Sequence, residues 1–222
     1  MNTTDKTSAH FLCIYTPEDT FIHDELILHL SGLRRLNLIG SWHDWKVSSD
    51  PASSDEAIKR YIEEADIVLI LVSQSLLTLP FIHSEQADII LQRYENGKAH
   101  VIPILIHATD WAFTVFGSIQ SFPINALPIS LWDNRDSALA DIAESVHIVI
   151  NENQALNALN RKAKRLSGGL QQALLEIDHI LQDVQQYEQI SQQDLEAFEK
   201  ALILLRSSVN SGLDQFKQLA GE

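Results

Sequence analysis

Four short and strongly apolar runs, Phe11–Tyr15, Leu36–Trp42, Ile67–Val72 and Val101–Ile106, punctuate the first two thirds of the chain. They are rich in Ile, Leu and Val rather than alternating with polar residues. Such runs suit strands covered on both faces, and strands of that kind belong to parallel sheets. Leu127–Leu131 offers a fifth run.

Helical patterns lie between the runs. Phe21, Leu26, Ile27, Leu30 and Leu33 make one stripe after Pro17-Glu18-Asp19. Asp55 to Ala65 presents Ile58, Tyr61 and Ile62 opposite charged residues. A third helix is expected from Pro80 to Glu95, stopped by Asn96-Gly97. A fourth, from Ser137 to about Ile148, brings Leu139, Ile142, Ala143 and Val146 together. This alternation predicts right-handed crossovers and an open, doubly wound α/β sheet over residues 10–150. Ligands of such sheets bind at the loops beyond the carboxyl ends of the strands.

After Asn151 strand signals vanish, and residues 151–222 read as an α-helical hairpin for oligomerisation or docking. Leu156, Leu159, Ala163, Leu166, Leu170, Ala173, Ile177, Ile180, Val184 and Tyr187 recur at steps of three and four, a heptad seam. Gly168-Gly169 is a place for a kink or a join between two helices. Ser191 is placed to cap a second helix, with Asp194 three residues on, and its seam runs through Leu195, Phe198, Leu202, Leu205, Val209, Leu213 and Phe216. The short connection at Gln189–Ser191 favours an antiparallel return.

Composition removes several function classes. A formal net charge of −14 argues against nucleic acid or an anionic membrane as partner, since phosphate contacts need clustered Lys and Arg. The basic run Arg161-Lys162-Ala163-Lys164-Arg165 reads as a solvated helix face. The single cysteine, Cys13, excludes an intrachain disulfide, and its apolar neighbours suggest a buried thiol. His43 and His83 follow no metal-ligand spacing, and no metal site is expected. No G-x-G-x-x-G or Walker-type string occurs, so conventional dehydrogenase and NTPase readings fall. Residues 1–9 are polar, expected to be disordered, and lack the apolar core of a secretory signal. No apolar run is long enough to span a bilayer, so a soluble cytoplasmic protein is expected.

Several stretches together resemble a Toll/interleukin-receptor (TIR) domain of the common bacterial type. The opening Phe11-Leu12-Cys13-Ile14-Tyr15-Thr16-Pro17-Glu18-Asp19 resembles the family's first strand and turn. Trp42-His43-Asp44 stands where the family has an aromatic followed by Asp, and Trp45 to Ser54 matches its variable BB loop. Ala65 to Ser73 resembles the third strand with its terminal Ser. The most specific series is Val101-Ile102-Pro103-Ile104-Leu105, Asp110-Trp111, Phe116-Gly117, Gln120 and Pro128-Ile129-Ser130-Leu131-Trp132. The resemblance covers roughly two thirds of the chain and none of the C-terminal helices. It implies a flavodoxin-like TIR domain with a central parallel sheet.

Many TIR domains cleave NAD⁺ at the nicotinamide–ribose bond, chemistry that places a carboxylate beside a positively charged, oxocarbenium-like ribose. The resemblance implies Glu85 as that carboxylate, with Phe81, four residues earlier on the same expected helix face, as an apolar wall. Aligning backward from Leu91-Gln92-Arg93-Tyr94 puts Gln86 at the position instead, which would leave the domain inactive. Tyr15, Thr16 and Asp19 are expected at the dinucleotide. Trp42, Asp44 and Trp45 line the next strand end, where an indole stacks on a base or anchors a loop. Ser73 either contacts the ribose or caps the following helix.

The expected protein is thus a bacterial TIR effector that hydrolyses NAD⁺ when assembled, in signalling or anti-phage defence. NAD⁺ is its substrate and no cofactor is expected. Assembly as a homo-oligomer through TIR and C-terminal helices is expected, with a sensor protein as the alternative docking partner. Two other readings stay open. One is a non-enzymatic scaffold acting through TIR–TIR contacts, and the other a domain that makes or binds a cyclic ADP-ribose-type signal.

Overall fold

A computed structural model describes residues 8–48, 55–184 and 192–220. The chain divides into two compact units, Met1–Glu152 and Asn153–Glu222. The first is α/β. Its strands β1 (Ala9–Tyr15), β2 (Ile39–Lys46), β3 (Ile67–Val72) and β4 (His100–Leu105) form one parallel sheet in the order β2-β1-β3-β4. The helices are α1 (Thr20–His29), α2 (Ser31–Arg35), α3 (Asp55–Glu64), α4 (Gln74–Leu77), α5 (Glu85–Glu95), α6 (Arg135–Val184) and α7 (Gln192–Ala220).

Both faces of the sheet are buried, which explains the unbroken apolar runs. Phe11, Cys13 and Tyr15 of β1, with Ile67, Leu69 and Leu71 of β3, join Leu26, Leu30, Ile142 and Val146 in one core layer. Leu12 and Ile14, with Val68, Ile70 and Val72, join Ile62, Leu76, Ile90, Trp111 and Phe116 in the other. Successive side chains of a strand point to opposite faces, so each run feeds both layers. Every residue of β3 is buried.

Several expected boundaries move. β2 begins at Ile39 rather than Leu36, because Leu36 ends α2 and Asn37 turns the chain with φ of 56°. β2 also runs on to Lys46, so Trp45 and Lys46 belong to the strand and not to the expected loop Trp45–Ser54. As a sheet edge it tolerates the polar residues Ser41, His43, Asp44 and Lys46. A register shift between Ala9 and His10 sets an extra residue in β2, so Ile39 and Trp42 face the same layer. Leu127–Leu131 is no strand. Ile129–Leu131 forms a 3-10 turn, and β4 is bridged at Ile104 by Phe122 instead.

In α1 the expected stripe loses Phe21, which is 61% exposed, and gains His23, which is buried. The expected helix from Pro80 is two pieces: a 3-10 turn at Pro80–His83, then α5. Extended Ser84 separates them and caps α5, its hydroxyl accepting from the Ala87 amide at 3.2 Å. The stop at Asn96-Gly97 is as expected, with Gly97 at φ 63°. The helix predicted to end near Ile148 is α6, whose bounds run through Asn151 and through Gly168-Gly169, so neither interrupts it. Its first turns bury Ala138, Leu139, Ile142, Val146 and Ile150 on the sheet.

The second unit is helical. Ile177 of α6 and Leu213 of α7 are buried, and Arg206 Nε pairs with Asp178 Oδ1 at 3.2 Å. Ala163, Leu170, Ala173, Leu202 and Val209 of the predicted seams are half-buried. Leu156, Leu159, Leu166, Ile180, Phe198 and Leu205 are exposed. The predicted disordered stretch (residues 1–7 of it), loop residues 49–54, Tyr187, the turn at Gln189–Ser191 and the side chains of Val184, Asp194, Leu195 and Phe216 lie outside the described residues. No helix among the described residues is long and apolar enough to cross a membrane.

Candidate functional site

The strand order reverses direction between β1 and β3. The helices that follow these strands, α1 and α5, pack on opposite faces of the sheet. The carboxyl ends of such a strand pair are where ligands of parallel sheets usually bind. Three of the expected substrate contacts sit there. Thr16 Oγ1 and Ser73 Oγ each donate to Asp19 Oδ2 at 2.6 Å, and all three residues are buried. Ser73 Oγ also accepts from the Leu76 amide at 3.2 Å, so the helix-capping alternative for Ser73 holds. These side chains bond to one another and tie the end of β1 to the end of β3.

A second cluster arises from the pairing of β1 with β2, whose register sets Phe11 beside Trp42, Cys13 beside Asp44 and Tyr15 beside Lys46. Phe11 and Trp42 stack with centroids 5.4 Å apart, and Trp42 Nε1 donates to Asp44 Oδ1 at 2.7 Å. His23 comes down from α1 onto this row. Its ring stacks on Tyr15 at 4.0 Å, its Nε2 lies 2.8 Å from Asp44 Oδ1, and its Nδ1 lies 2.9 Å from Asp24 Oδ1.

The electrostatics follow from this geometry. Burial alone would lower the His23 pKa, but hydrogen bonds to Asp44 and Asp24 and their charges outweigh it, and the net shift is upward. Burial likewise opposes ionisation of Asp44, yet the bonds from His23 and Trp42 and the charges of His23 and Lys46 bring its pKa below the usual carboxylate range. Burial, then the Asp44 charge, pushes the Cys13 thiol well up and the Tyr15 phenol to about 12.

The expected dinucleotide-lining aromatics divide between layers. Trp42 packs with the Phe11 layer, whereas Trp45 is buried in the other, edge-on to Phe81 with centroids 5.2 Å apart. Trp42 and Trp45 therefore do not line one cleft. Phe81 is 3% exposed and also stacks on Phe116, so it is a core residue.

Glu85 is the first residue of α5, with its side chain 69% exposed and its Oε2 3.3 Å from Lys59 Nζ. Because Ser84 breaks the chain direction, Phe81 and Glu85 do not share a helix face. Gln86 beside it is half-buried. His43 stacks on Tyr61 at 3.9 Å, and His83 is exposed. A separate groove of about 510 Å³ between α2 and α6, lined by His29, Leu33, Leu36, Ala143 and His147, contains none of the expected site residues.

Sequence reasoning passed over His23 and Asp24. Ten residues separate His23 from Cys13 and twenty-one separate it from Asp44, and no local pattern links them. Only the β1–β2 register and the descent of α1 bring them together.

No family model matches the chain, and no solved structure matches it. An uncharacterized protein of Sinorhizobium fredii, y4lF, is 31% identical over 132 residues, which make up 60% of this chain and 41% of that relative. The chain thus spans about two fifths of the length of the curated relative it matches.

Proposed function

We propose that residues 10–150 are a flavodoxin-like TIR domain that hydrolyses NAD⁺ at the nicotinamide–ribose bond when assembled, as an effector in bacterial signalling or anti-phage defence. The observation that carries this reading is the strand order β2-β1-β3-β4 with a solvent-facing carboxylate, Glu85, at the start of the helix that leads from the β3 side back to β4. Helices of a parallel sheet run opposite to its strands, so the first residue of α5 belongs to the carboxyl rim, where this architecture takes its ligands.

In the reaction the bond between the ribose C1′ and the nicotinamide nitrogen breaks, and its electron pair leaves with neutral nicotinamide. Water adds to C1′ and releases one proton, giving ADP-ribose. Glu85 stabilises the positive charge that develops on the ribose, and Lys59 holds the carboxylate until the positively charged nicotinamide end of the substrate displaces it. Tyr15 ends β1 at the rim, whereas Trp42 and Asp44 stand inside β2, opposite Phe11 and Cys13, and act through their neighbours. Thr16, Asp19 and Ser73 act as positioning residues that hold the rim in shape.

A second reading, a scaffold without catalysis, draws on two observations. The hydroxyls at the switch point are already bonded internally, and Leu, Ile and Phe side chains stand exposed on α6 and α7 as candidate contacts with a second copy or a sensor. NAD⁺ turnover by the purified chain, at rising protein concentration and beside Glu85→Gln, separates the two. The enzyme reading expects turnover that climbs more steeply than protein concentration and falls about 10²–10³-fold in the variant. Wild-type inactivity at high concentration favours the scaffold, and full activity in Glu85→Gln removes Glu85 from the role. Chromatography of the products distinguishes ADP-ribose from its cyclic form.

A further inference from the structure

We propose that Cys13, His23 and Asp44 form a three-ligand site for a borderline-soft divalent cation of the zinc class. The three residues offer a sulfur, an imidazole nitrogen and a carboxylate oxygen, all within 4.8 Å of one another. Around zinc, ligand atoms at about 2.0–2.3 Å from the metal lie about 3.3–3.7 Å apart in a tetrahedron. The His23 to Asp44 separation of 2.8 Å needs to open by about half an ångström, and the sulfur side needs to contract by about an ångström at most.

The donor set argues for the metal class. A thiolate and an imidazole select zinc and its neighbours over magnesium or calcium, which take oxygen ligands. The surroundings match a built site. Asp24 Oδ1 holds His23 Nδ1 at 2.9 Å, the outer-shell carboxylate that orients a metal-bound histidine and raises its basicity. Tyr15 stacks on the ring and restricts its rotation. Trp42 fixes the Asp44 carboxyl by its indole N–H. Cys13 and His23 are buried in the layer beneath, while the Asp44 side chain is 39% exposed, so the cluster opens to solvent on the Asp44 side.

Loading is proton-coupled: a metal replaces the Cys13 Sγ proton and the proton now shared between His23 Nε2 and Asp44, and both pass to solvent. Without metal, the same proton holds His23 and Asp44 as a hydrogen-bonded pair. The site stands on β1–β2 register and α1 packing alone, and it does not depend on NAD⁺ chemistry.

Cobalt(II) added to the chelator-stripped full chain tests the site. The expected result is a sulfur-to-cobalt charge-transfer band in the near ultraviolet that saturates at one equivalent and is bleached by zinc. Cys13→Ser should abolish the band, and His23→Gln and Asp44→Asn should each weaken binding at least tenfold. Asp24→Asn, which leaves every ligand in place, should weaken it about 10–100-fold. Asp44 lies at the surface edge, so Asp44→Asn answers even where a core variant at Cys13 fails to fold, with circular dichroism as the check. Absence of the band at excess cobalt, or a band unchanged in both His23→Gln and Asp44→Asn, overturns the proposal.

Discussion

Replacing Asp19 with alanine should cost the first unit more than any surface change, and the structure sets the scale. Asp19 Oδ2 is the acceptor for two buried hydroxyls, Thr16 Oγ1 and Ser73 Oγ, each at 2.6 Å. Stranding a buried donor costs about 1–3 kcal/mol, so two stranded donors imply a loss of about 2–6 kcal/mol. Asp19→Asn keeps an acceptor oxygen and should lose less than half as much. Ser73→Ala should itself cost about 2 kcal/mol, because its oxygen also accepts from the Leu76 amide and caps α4. Since Asp19 and Ser73 share one bond, the double variant should lose less than the sum of the singles, by about 1 kcal/mol. Urea unfolding followed by tryptophan fluorescence is suited to this cycle. All four tryptophans, at positions 42, 45, 111 and 132, lie in the first unit and report on it alone. With a urea slope of about 1–3 kcal/mol per molar, a 3 kcal/mol loss moves the midpoint by about 1 M or more. An Asp19→Ala unfolding free energy within about 0.5 kcal/mol of wild type, or strict additivity with Ser73→Ala, would refute the shared-acceptor account.

Gly117→Ala should destabilise the same unit by about 1–3 kcal/mol or more, because the added Cβ would stand 2.2 Å from the Ala112 carbonyl oxygen, a backbone atom with little room to retreat. Gly32→Ala, whose Cβ meets nothing within 4 Å in α2, should be neutral or stabilising by up to about 1 kcal/mol in the same fluorescence assay. His100 titrates below the ordinary histidine value because burial outweighs the pull of Glu152 and Asp66. The unfolded chain therefore takes up this proton first, and the stability present above about pH 6.5 is lost as pH falls toward the folded value. Urea midpoints at pH 7.5 and 5.5 should converge in His100→Gln relative to wild type; an unchanged pH slope would contradict the sign.

The apolar runs at Phe11–Tyr15, Ile67–Val72 and Val101–Ile106 were legible as buried parallel strands, because a strand covered on both faces has no position where a polar side chain is cheap. The stop at Asn96-Gly97 and the helical character after Asn151 were legible for equally local reasons, backbone geometry in one case and a three-four apolar repeat in the other. β2 was shifted because an edge strand is constrained on one side only, and His43, Asp44 and Lys46 interrupt the apolar signal of Trp42 and Trp45 at its carboxyl end. The break at Ser84 was hidden by a pattern that suited one helix as well as two. What tertiary structure alone decided is the company each polar group keeps. Parallel pairing set Cys13 against Asp44, α1 packing lowered His23 onto them, and the β1/β3 switch turned Thr16, Asp19 and Ser73 inward. Sequence patterns report which face of an element is apolar, whereas hydrogen-bond partners depend on register and packing between segments far apart in the chain. That dependence is why the apolar framework could be read from the residues and the polar sites could not.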